Sequence, residues 1–267
     1  MAFQIGTVTT SGFSMDYIRF GSGKDILVIL PGLSVQSVIP SAGAIAQAYQ
    51  DMTPYYTVYL FDRRKELPQT YPIEQMAQDT HDAMQALQLQ KVHLFGASQG
   101  GMIAMMIAGL YPSMVEKLIL GSTACRITAA QYETVSRWVD TAKAGDAQAL
   151  YLLFGEAIYP ESLFKKYQRA LCILSKSVSQ KDLQRFIILA QAMQDFDGSK
   201  TVQTITCPVL ILSAKDDHVL GDSAGPYLKE QLIGTTAVEA FAYQGYGHAA
   251  YDTAPDYHTR MLQFLRK

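Results

Sequence analysis

Short apolar runs alternate with longer amphipathic stretches along most of the chain. Each run has the length and composition of a buried strand, and the runs cover residues 25–30, 56–61, 92–95, 117–120, 208–212 and 237–243. Between them, apolar residues recur at three- and four-residue intervals, as from Ile73 to Leu87, which is typical of a helix that packs on a sheet. β-rich segments at Phe3–Thr9 and Phe13–Phe20 predict an opening hairpin. The pattern predicts an α/β fold with a mostly parallel, doubly wound sheet flanked by helices.

The alternation is interrupted between about Ala124 and Lys200. Helical patterns replace the strand-like runs there, at residues 131–144, 147–154, 161–175 and 181–193. A helical insertion of this length between two strands predicts a cap over the C-terminal edge of the sheet, where such sheets bind ligands. The predicted division is an α/β core of residues 1–123 and 201–267, interrupted by a helical cap at residues 124–200.

Composition and charge narrow the class of partner. The 267 residues are 49% hydrophobic and 17% charged, which is a globular composition with ample apolar mass for a core. The net charge is −2, and no basic block is longer than Arg63-Arg64-Lys65. Nucleic acid and anionic membranes are therefore not expected as partners, and a small-molecule substrate is. The oligomeric state is left open.

The sequence shows no pattern typical of a targeting or metal-binding segment. The N-terminal stretch lacks the basic and apolar regions of a signal peptide, and no apolar run approaches the roughly 18 residues of a membrane-spanning helix. The three cysteines, Cys125, Cys172 and Cys207, are widely spaced, which predicts reduced, buried thiols and no metal-ligand cluster. A cytoplasmic protein is expected.

The candidate chemistry centres on a G-x-S-x-G sequence at residues 96–100. It lies between the apolar run 92–95 and the helix-like run 102–110, which Pro112 ends. A serine at such a junction turns sharply, so its hydroxyl stands above the strand ends and the next N–H groups face any developing negative charge. Alternatively, Ser98 merely caps the helix. The strand before it, the helix after it and two partners in the right chain order favour a nucleophile elbow.

A serine nucleophile requires a base, and His248 is the candidate among five histidines. It follows the last predicted strand in a glycine-loosened loop and precedes the final helix. The other four belong to predicted helices, a strand or an acidic loop: His81, His93, His218 and His258. The alternative for His248 is a loop histidine that is hydrogen-bonded locally.

A carboxylate must orient the base, and two candidates follow the strand at residues 208–212. Either Asp216 or Asp217 could reach a histidine, and the other would then be structural. Asp62 is a competitor after an earlier strand, but the neighbouring Arg63 and Arg64 predict a local ion pair instead.

An oxyanion hole needs two backbone donors. The N–H of Gln99, directly after Ser98, is one candidate. The second is expected in the loop after the strand at residues 25–30, where Leu33 is the natural donor because Gly32 lets the backbone approach closely. The alternative is that Pro31-Gly32 forms an ordinary tight turn.

The chain resembles the α/β-hydrolase superfamily, in particular its cap-bearing small esterases, haloperoxidase-like enzymes and C–C hydrolases. The segments that carry the resemblance are LVILPGLS (27–34), VYLFDRR (58–64), VHLFGASQGGMIA (92–104), YPSMVEKLILGST (111–123), PVLILSAKDDHV (208–219) and YGHAAYDTAPDYHTRMLQFL (246–265). The resemblance implies an α/β-hydrolase fold, Ser98 as nucleophile, His248 as base and an acid after residues 208–212. The family's pattern, with a small residue three positions before the acid and an apolar stretch after it, fits Asp217 better than Asp216.

The sequence thus predicts a serine hydrolase that acts on a small, largely apolar ester or related acyl substrate through an acyl-enzyme. Neither a cofactor nor a metal is expected, because the triad supplies the chemistry. Six cap residues favour an apolar pocket, unless they only form the core of the cap: Trp138, Tyr151, Leu152, Phe154, Tyr159 and Phe164. The alternatives are C–C bond or amide hydrolysis, perhydrolysis, or a non-catalytic ligand-binding or signalling protein of the same fold.

Overall fold

An eight-stranded sheet forms the centre of the computed structural model, which describes residues 2–267. In chain order the strands are β1 (Phe3–Thr9), β2 (Ser14–Phe20), β3 (Asp25–Leu30), β4 (Tyr56–Arg64), β5 (Val92–Ala97), β6 (Val115–Gly121), β7 (Val209–Ala214) and β8 (Val238–Tyr243). Their order across the sheet is β1-β2-β4-β3-β5-β6-β7-β8. β1 and β2 form an antiparallel hairpin, β2 pairs antiparallel with β4, and the remaining pairs are parallel.

Helices connect the parallel strands. They are α1 (Ala42–Ala48), α2 (Ile73–Ala86), α3 (Gln99–Leu110), α4 (Ala129–Lys143), α5 (Ala147–Ile158), α6 (Glu161–Ser175), α7 (Gln180–Gln191), α8 (Ser199–Val202), α9 (Ala224–Gln231), α10 (Ala250–Thr253) and α11 (Tyr257–Leu265). Short 3₁₀ turns lie at Ile39–Ser41, Gln50–Met52 and Pro112–Met114. This architecture confirms the predicted mostly parallel sheet with flanking helices.

The central strands are buried on both faces, as parallel strands covered by helices must be. In β3, Val28 and Leu30 belong to one hydrophobic cluster, which also includes residues of α2, α3, α4 and α7. Leu27 and Ile29 belong to a second cluster, which includes residues of α1 and α11. Neighbouring side chains of one strand therefore anchor opposite layers, so the carboxyl end of the sheet is held rigidly.

The structure differs from the sequence predictions mainly at element ends. β4 continues to Arg64, beyond the predicted strand at residues 56–61. α3 begins at Gln99, ahead of the predicted helix at residues 102–110, because the low helix propensity of Gly100 and Gly101 hid its first turn from the sequence pattern. The helices α1, α8, α9 and α10 were not predicted, since each has at most eight residues and shows no sustained apolar stripe. Of the three unpaired cysteines only Cys125 is buried, so the expectation of three buried thiols is wrong for the other two.

The helices α4 to α7 follow β6 and precede β7 in the chain. Backbone hydrogen bonds join the two ends of this segment. Ile127 N–H donates to the Phe196 carbonyl at 2.8 Å, and Gly198 N–H donates to the Cys125 carbonyl at 2.7 Å. The entry and the exit of this segment therefore lie side by side.

Helix α3 starts so close to β3 that residue 100 has no room for a side chain. A Cβ on Gly100 would lie 2.0 Å from the Leu30 carbonyl oxygen. This clash could be relieved only by moving the backbone, which would destabilise the fold. We expect Gly100→Ala to lower the free energy of unfolding by about 3 kcal/mol, measured by urea denaturation. Gly12→Ala is the control: its Cβ would meet no atom within 4 Å, so a change of at most about 0.5 kcal/mol is expected. Equal stability of the two variants would contradict this packing.

Candidate active site

Ser98 lies at a sharp turn between β5 and α3. Its backbone has φ 51° and ψ −121°, a strained conformation for a residue with a side chain, which costs about 1–3 kcal/mol. The end of β6 holds the turn in place: Ser98 N–H donates to the Gly121 carbonyl at 2.8 Å, and the Thr123 hydroxyl donates to the Ser98 carbonyl at 2.7 Å. The Ser98 side chain makes no capping hydrogen bond to α3, so the alternative of a mere helix cap is not supported.

Three side chains from distant parts of the sequence form a hydrogen-bonded chain. His248 Nε2 lies 2.9 Å from Ser98 Oγ, and His248 Nδ1 lies 2.8 Å from Asp217 Oδ2. All three residues are buried, with exposed fractions of 6% for Ser98, 2% for His248 and 8% for Asp217. The structure therefore brings together the three residues that the sequence pattern selected.

Asp217 is held in its ionised form. Its Oδ1 accepts hydrogen bonds from the N–H groups of Val219 and Leu220, each at 2.8 Å. Burial works to raise the pKa of Asp217, but the charge and hydrogen bond of His248 and these backbone donors outweigh burial and hold the pKa below its usual range. An ionised Asp217 requires a proton on His248 Nδ1, which leaves Nε2 free to accept the Ser98 proton.

The neighbouring Asp216 has a different contact. Its Oδ2 accepts a hydrogen bond from Gly247 N–H at 3.0 Å, and Gly247 has a positive φ of 63°. Asp216 therefore shapes the loop that presents His248, while Asp217 contacts the imidazole. The family's pattern favoured Asp217 over Asp216, and the structure places only Asp217 against the histidine.

The two expected oxyanion donors both lie beside Ser98. Gln99 is the first residue of α3. A Cβ on Gly32 would lie 3.3 Å from Ser98 Cβ, so the loop after β3 passes directly along the serine. Leu33 lines the same small cavity as Ser98 and His248. Both residues are therefore neighbours of Ser98, Gln99 in the chain and Leu33 across the cavity.

The cavity above Ser98 is small. It offers about 10 Å³ to a water-sized molecule, which is room for about one water. Its walls are Leu33, Ser98, Trp138, Phe154, Ile158, Met193, Val219, His248 and Tyr251. Three of these, Leu33, Phe154 and Ile158, also line a neighbouring cavity of about 550 Å³ between residues 33–41 and helices α5 and α6. They form the partition between the two spaces.

The six cap residues named from the sequence fall into different places. Trp138 and Phe154 line the Ser98 cavity. Tyr151 lines the 550 Å³ cavity, Phe164 lines a third cavity of about 480 Å³, and Tyr159 lines both of these. Leu152 lines none of the three. Sequence reasoning missed Met193 and Tyr251 as cavity residues, because no local pattern marks a side chain whose position depends on how two elements dock.

The expected ion pair between Asp62 and its neighbouring arginines is wrong. Asp62 Oδ1 accepts from Arg185 Nη2 of α7 at 2.5 Å, whereas Arg64 forms a bidentate pair with Asp79. Asp62 does not contact His248, and so it does not compete with Asp217. Arg185 lies 123 residues from Asp62 in the sequence, so the local sequence around Asp62 could not identify it as the partner.

Residues 2–267 show no signal for a membrane-spanning helix or a metal site. No helix in this range combines the length and apolar character needed to cross a bilayer. Nor does this range contain a group of three or more His, Cys, Asp or Glu side chains arranged to hold a metal ion.

The depressed pKa of Asp217 has a measurable consequence for stability. An unfolded aspartate has a pKa of about 3.9, so on acidification the unfolded chain binds this proton before the folded protein does. The stabilisation from Asp217 is complete above about pH 5 and is lost as the pH falls through the folded pKa. We expect the difference in unfolding free energy between wild type and Asp217→Asn to shrink from pH 6 to pH 3 in urea titrations. A difference that is constant over this range would contradict the prediction.

The chain is similar in sequence to a known family and to several known proteins. A family model described as the alpha/beta hydrolase fold matches residues 26–255. The putative carbamate hydrolase RutD of Pantoea ananatis is 25% identical over 230 residues, which cover 81% of this chain and 81% of that protein. The 3-oxoadipate enol-lactonase 2 of Acinetobacter baylyi is 22% identical over 242 residues, which cover 86% of each chain.

Solved structures share the architecture. MGS-M2, an alpha/beta hydrolase enzyme from a Medee basin deep-sea metagenome library, superposes with a TM-score of 0.86 at 20% identity over 98% of both chains. The enol-lactonase from Burkholderia xenovorans superposes with a TM-score of 0.83 at 17% identity, covering 98% of this chain and 100% of that one. At such identities the likeness concerns the fold. Since the family model spans most of the sequence, this chain belongs to the α/β-hydrolase family.

Proposed function

We propose that this protein is a serine hydrolase that cleaves a small, largely apolar ester or related acyl substrate. The observation that carries the proposal is the buried hydrogen-bonded chain from Ser98 through His248 to Asp217. A ligand-binding protein has no need of a strained serine placed against an oriented histidine. The names of two relatives, a carbamate hydrolase and an enol-lactonase, also favour transfer of an acyl group to water.

Each residue has a distinct role in the proposed reaction. Ser98 Oγ attacks the acyl carbon while His248 Nε2 takes its proton, and Asp217 stabilises the imidazolium that forms. The N–H groups of Leu33 and Gln99 hold the oxyanion of the tetrahedral intermediate. Collapse expels the alcohol, which leaves with the proton from His248, and an acyl-enzyme remains. Water then attacks this ester with His248 again as base, which releases the acid and restores Ser98.

Residues 124–200 act in this proposal as a cap over the serine. Trp138 of α4, Phe154 and Ile158 of α5, and Met193 just after α7 supply much of the cavity wall. An apolar roof excludes water and strengthens electrostatic interactions at the reacting atoms. The cavity has room for about one water, which is too small for a substrate. Side chains of the partition must therefore move for an ester to bind.

The 550 Å³ cavity supports a neutral substrate. Its walls are mostly apolar or hydroxyl-bearing, and among residues 2–267 the one charged side chain that lines it is Asp182. Burial works to raise the pKa of Asp182, but hydrogen bonds from Ser179 and Gln36 and the nearby Arg185 hold it below its usual range. A carboxylate in this wall disfavours an anionic acyl or alcohol group. The substrate part beyond the partition is therefore neutral and largely apolar.

Labelling with a fluorophosphonate probe tests the nucleophile. Intact mass should show one adduct on wild type, none on Ser98→Ala and little on His248→Ala. Asp217→Asn should label about 10³-fold more slowly because His248 adopts the wrong tautomer. Asp216→Asn is the matched control, since its amide oxygen can still accept from Gly247 N–H, and it should label within about threefold of wild type. Absence of an adduct on folded wild type would refute the serine-hydrolase proposal and leave ligand binding.

Substrate selection is tested with p-nitrophenyl esters. Wild type should hydrolyse the neutral butyrate faster than the anionic hemisuccinate. Phe154→Ala should open the partition and raise kcat/KM for the octanoate relative to the acetate by about tenfold. Leu152→Ala is the control, because Leu152 is partly buried on the same helix and lines neither cavity. An unchanged chain-length profile in Phe154→Ala, or preference for the hemisuccinate, would contradict this substrate assignment.

A further inference from the structure

We propose that Arg63 is a positioning residue for the oxyanion hole, because its guanidinium joins the loop after β3 to Gln99 and, through Gln99, to helix α7 of the cap. The inference rests on the proposed function, since it concerns the two N–H groups that would hold the oxyanion. Arg63 touches neither Ser98 nor His248 by hydrogen bonding and has no part in proton transfer.

The first step is the contact between Arg63 and the two donor segments. Arg63, near the end of β4, is only 4% exposed. Its Nη2 donates to the Pro31 carbonyl at 2.9 Å and lies 3.4 Å from Gln99 Oε1. Pro31 is two residues before Leu33, and Gln99 supplies the other proposed donor. A planar guanidinium has fixed donor directions, so it sets the spacing between these segments.

The second step is the orientation of the Gln99 side chain. Gln99 is fully buried, and its Nε2 donates to the Leu189 carbonyl of α7 at 2.6 Å. Its amide oxygen faces Arg63 while its amide nitrogen faces the cap. Both ends of the amide are thus used, and rotation would break both contacts. The residue directly after the nucleophile is therefore tied to the core and to the cap at once.

The third step is charge balance beneath α7. Asp62 Oδ1 accepts from Arg185 Nη2 at 2.5 Å and from Arg63 N–H at 2.8 Å, and Ser37 Oγ donates to Asp62 Oδ2 at 2.5 Å. Burial is the main cause that lowers the pKa of Arg63 to about 10. The negative charge of Asp62 acts to raise this pKa, and the positive charge of Arg185 lowers it further. Arg63 therefore stays charged at neutral pH. One carboxylate thus accepts from the backbone N–H of Arg63 in the core and from the guanidinium of Arg185 on α7.

Arg185 and Leu189 lie about one turn apart on α7, and Arg185 acts through its side chain while Leu189 acts through its backbone carbonyl. Through these two residues α7 meets both Asp62 and Gln99. Displacement of α7 would break the Gln99 contact at the same time as the ion pair. The oxyanion donors are therefore held in place only while α7 is docked, which couples the position of the cap to the catalytic geometry.

Arg64 supplies a matched control. It is adjacent in sequence and also makes buried polar contacts, but its guanidinium pairs with Asp79 of α2 and lies away from Ser98. Arg63→Lys and Arg64→Lys both keep the positive charge and lose the planar guanidinium with its fixed donor directions. Arg63→Met removes the donors while keeping a chain of similar length. If Arg63→Met does not fold, Arg63→Lys still carries the test.

The experiment measures kcat, KM and the inhibition constant of an alkylboronic acid, which forms a tetrahedral adduct on the serine. Arg63→Met should lose about 10- to 100-fold in kcat, with KM changed less than about threefold. Boronate affinity should fall in proportion to kcat/KM, because both depend on the oxyanion donors. Arg63→Lys should be intermediate, and Arg64→Lys should stay within about twofold of wild type.

Two results would overturn the inference: Arg63 variants that lose thermal stability but keep kcat, or variants whose kcat falls while boronate affinity is unchanged. Hydrogen exchange of residues 30–35, with β7 as internal reference, separates this inference from the proposed function. Faster exchange of this loop in Arg63→Met supports the positioning role even if wild type is not labelled by fluorophosphonate. Unchanged exchange would refute the role even if wild type hydrolyses esters.

Discussion

The close approach of β3 and its following loop to the turn at Ser98 is the constraint on which the rest of the structure depends. Gly100 has no room for a side chain beside the Leu30 carbonyl, and Gly32 runs along Ser98 itself. β3 and β5 are adjacent parallel strands, so their carboxyl ends bring the two loops together. The strained Ser98 backbone persists because this packing and the end of β6 leave it no relaxed alternative.

Polar groups are buried around this centre in two connected sets. Asp217, His248 and Ser98 form one set, in which each polar atom finds a partner along the chain of hydrogen bonds. Asp62, Arg185, Arg63 and Gln99 form the other, which runs from α7 to the loop after β3. Buried polar groups are costly unless they are hydrogen-bonded, so the second set requires α7 and the core to dock in one arrangement.

Much of the fold could be predicted from the sequence because its determinants are local. The apolar runs at residues 25–30 and 92–95 became β3 and β5, since a short apolar segment bounded by turns is typical of a buried strand. Ser98 could be singled out because flanking glycines and a strand–helix junction are features of a single stretch. The short helices α1, α8, α9 and α10 escaped prediction because tertiary packing stabilises them more than their own pattern does.

The sequence by itself determined the succession of strands and helices along the chain, the turn at Ser98 and the candidate histidine, since each depends on residues within a few positions of one another. Only the tertiary structure decided that Asp216 contacts the backbone of Gly247 and that Asp62 pairs with Arg185, 123 residues away. It alone joined Arg63 to Gln99 and left a cavity for about one water above Ser98. Such contacts depend on how separate elements dock, and no local propensity encodes the distance between two side chains that meet only after folding.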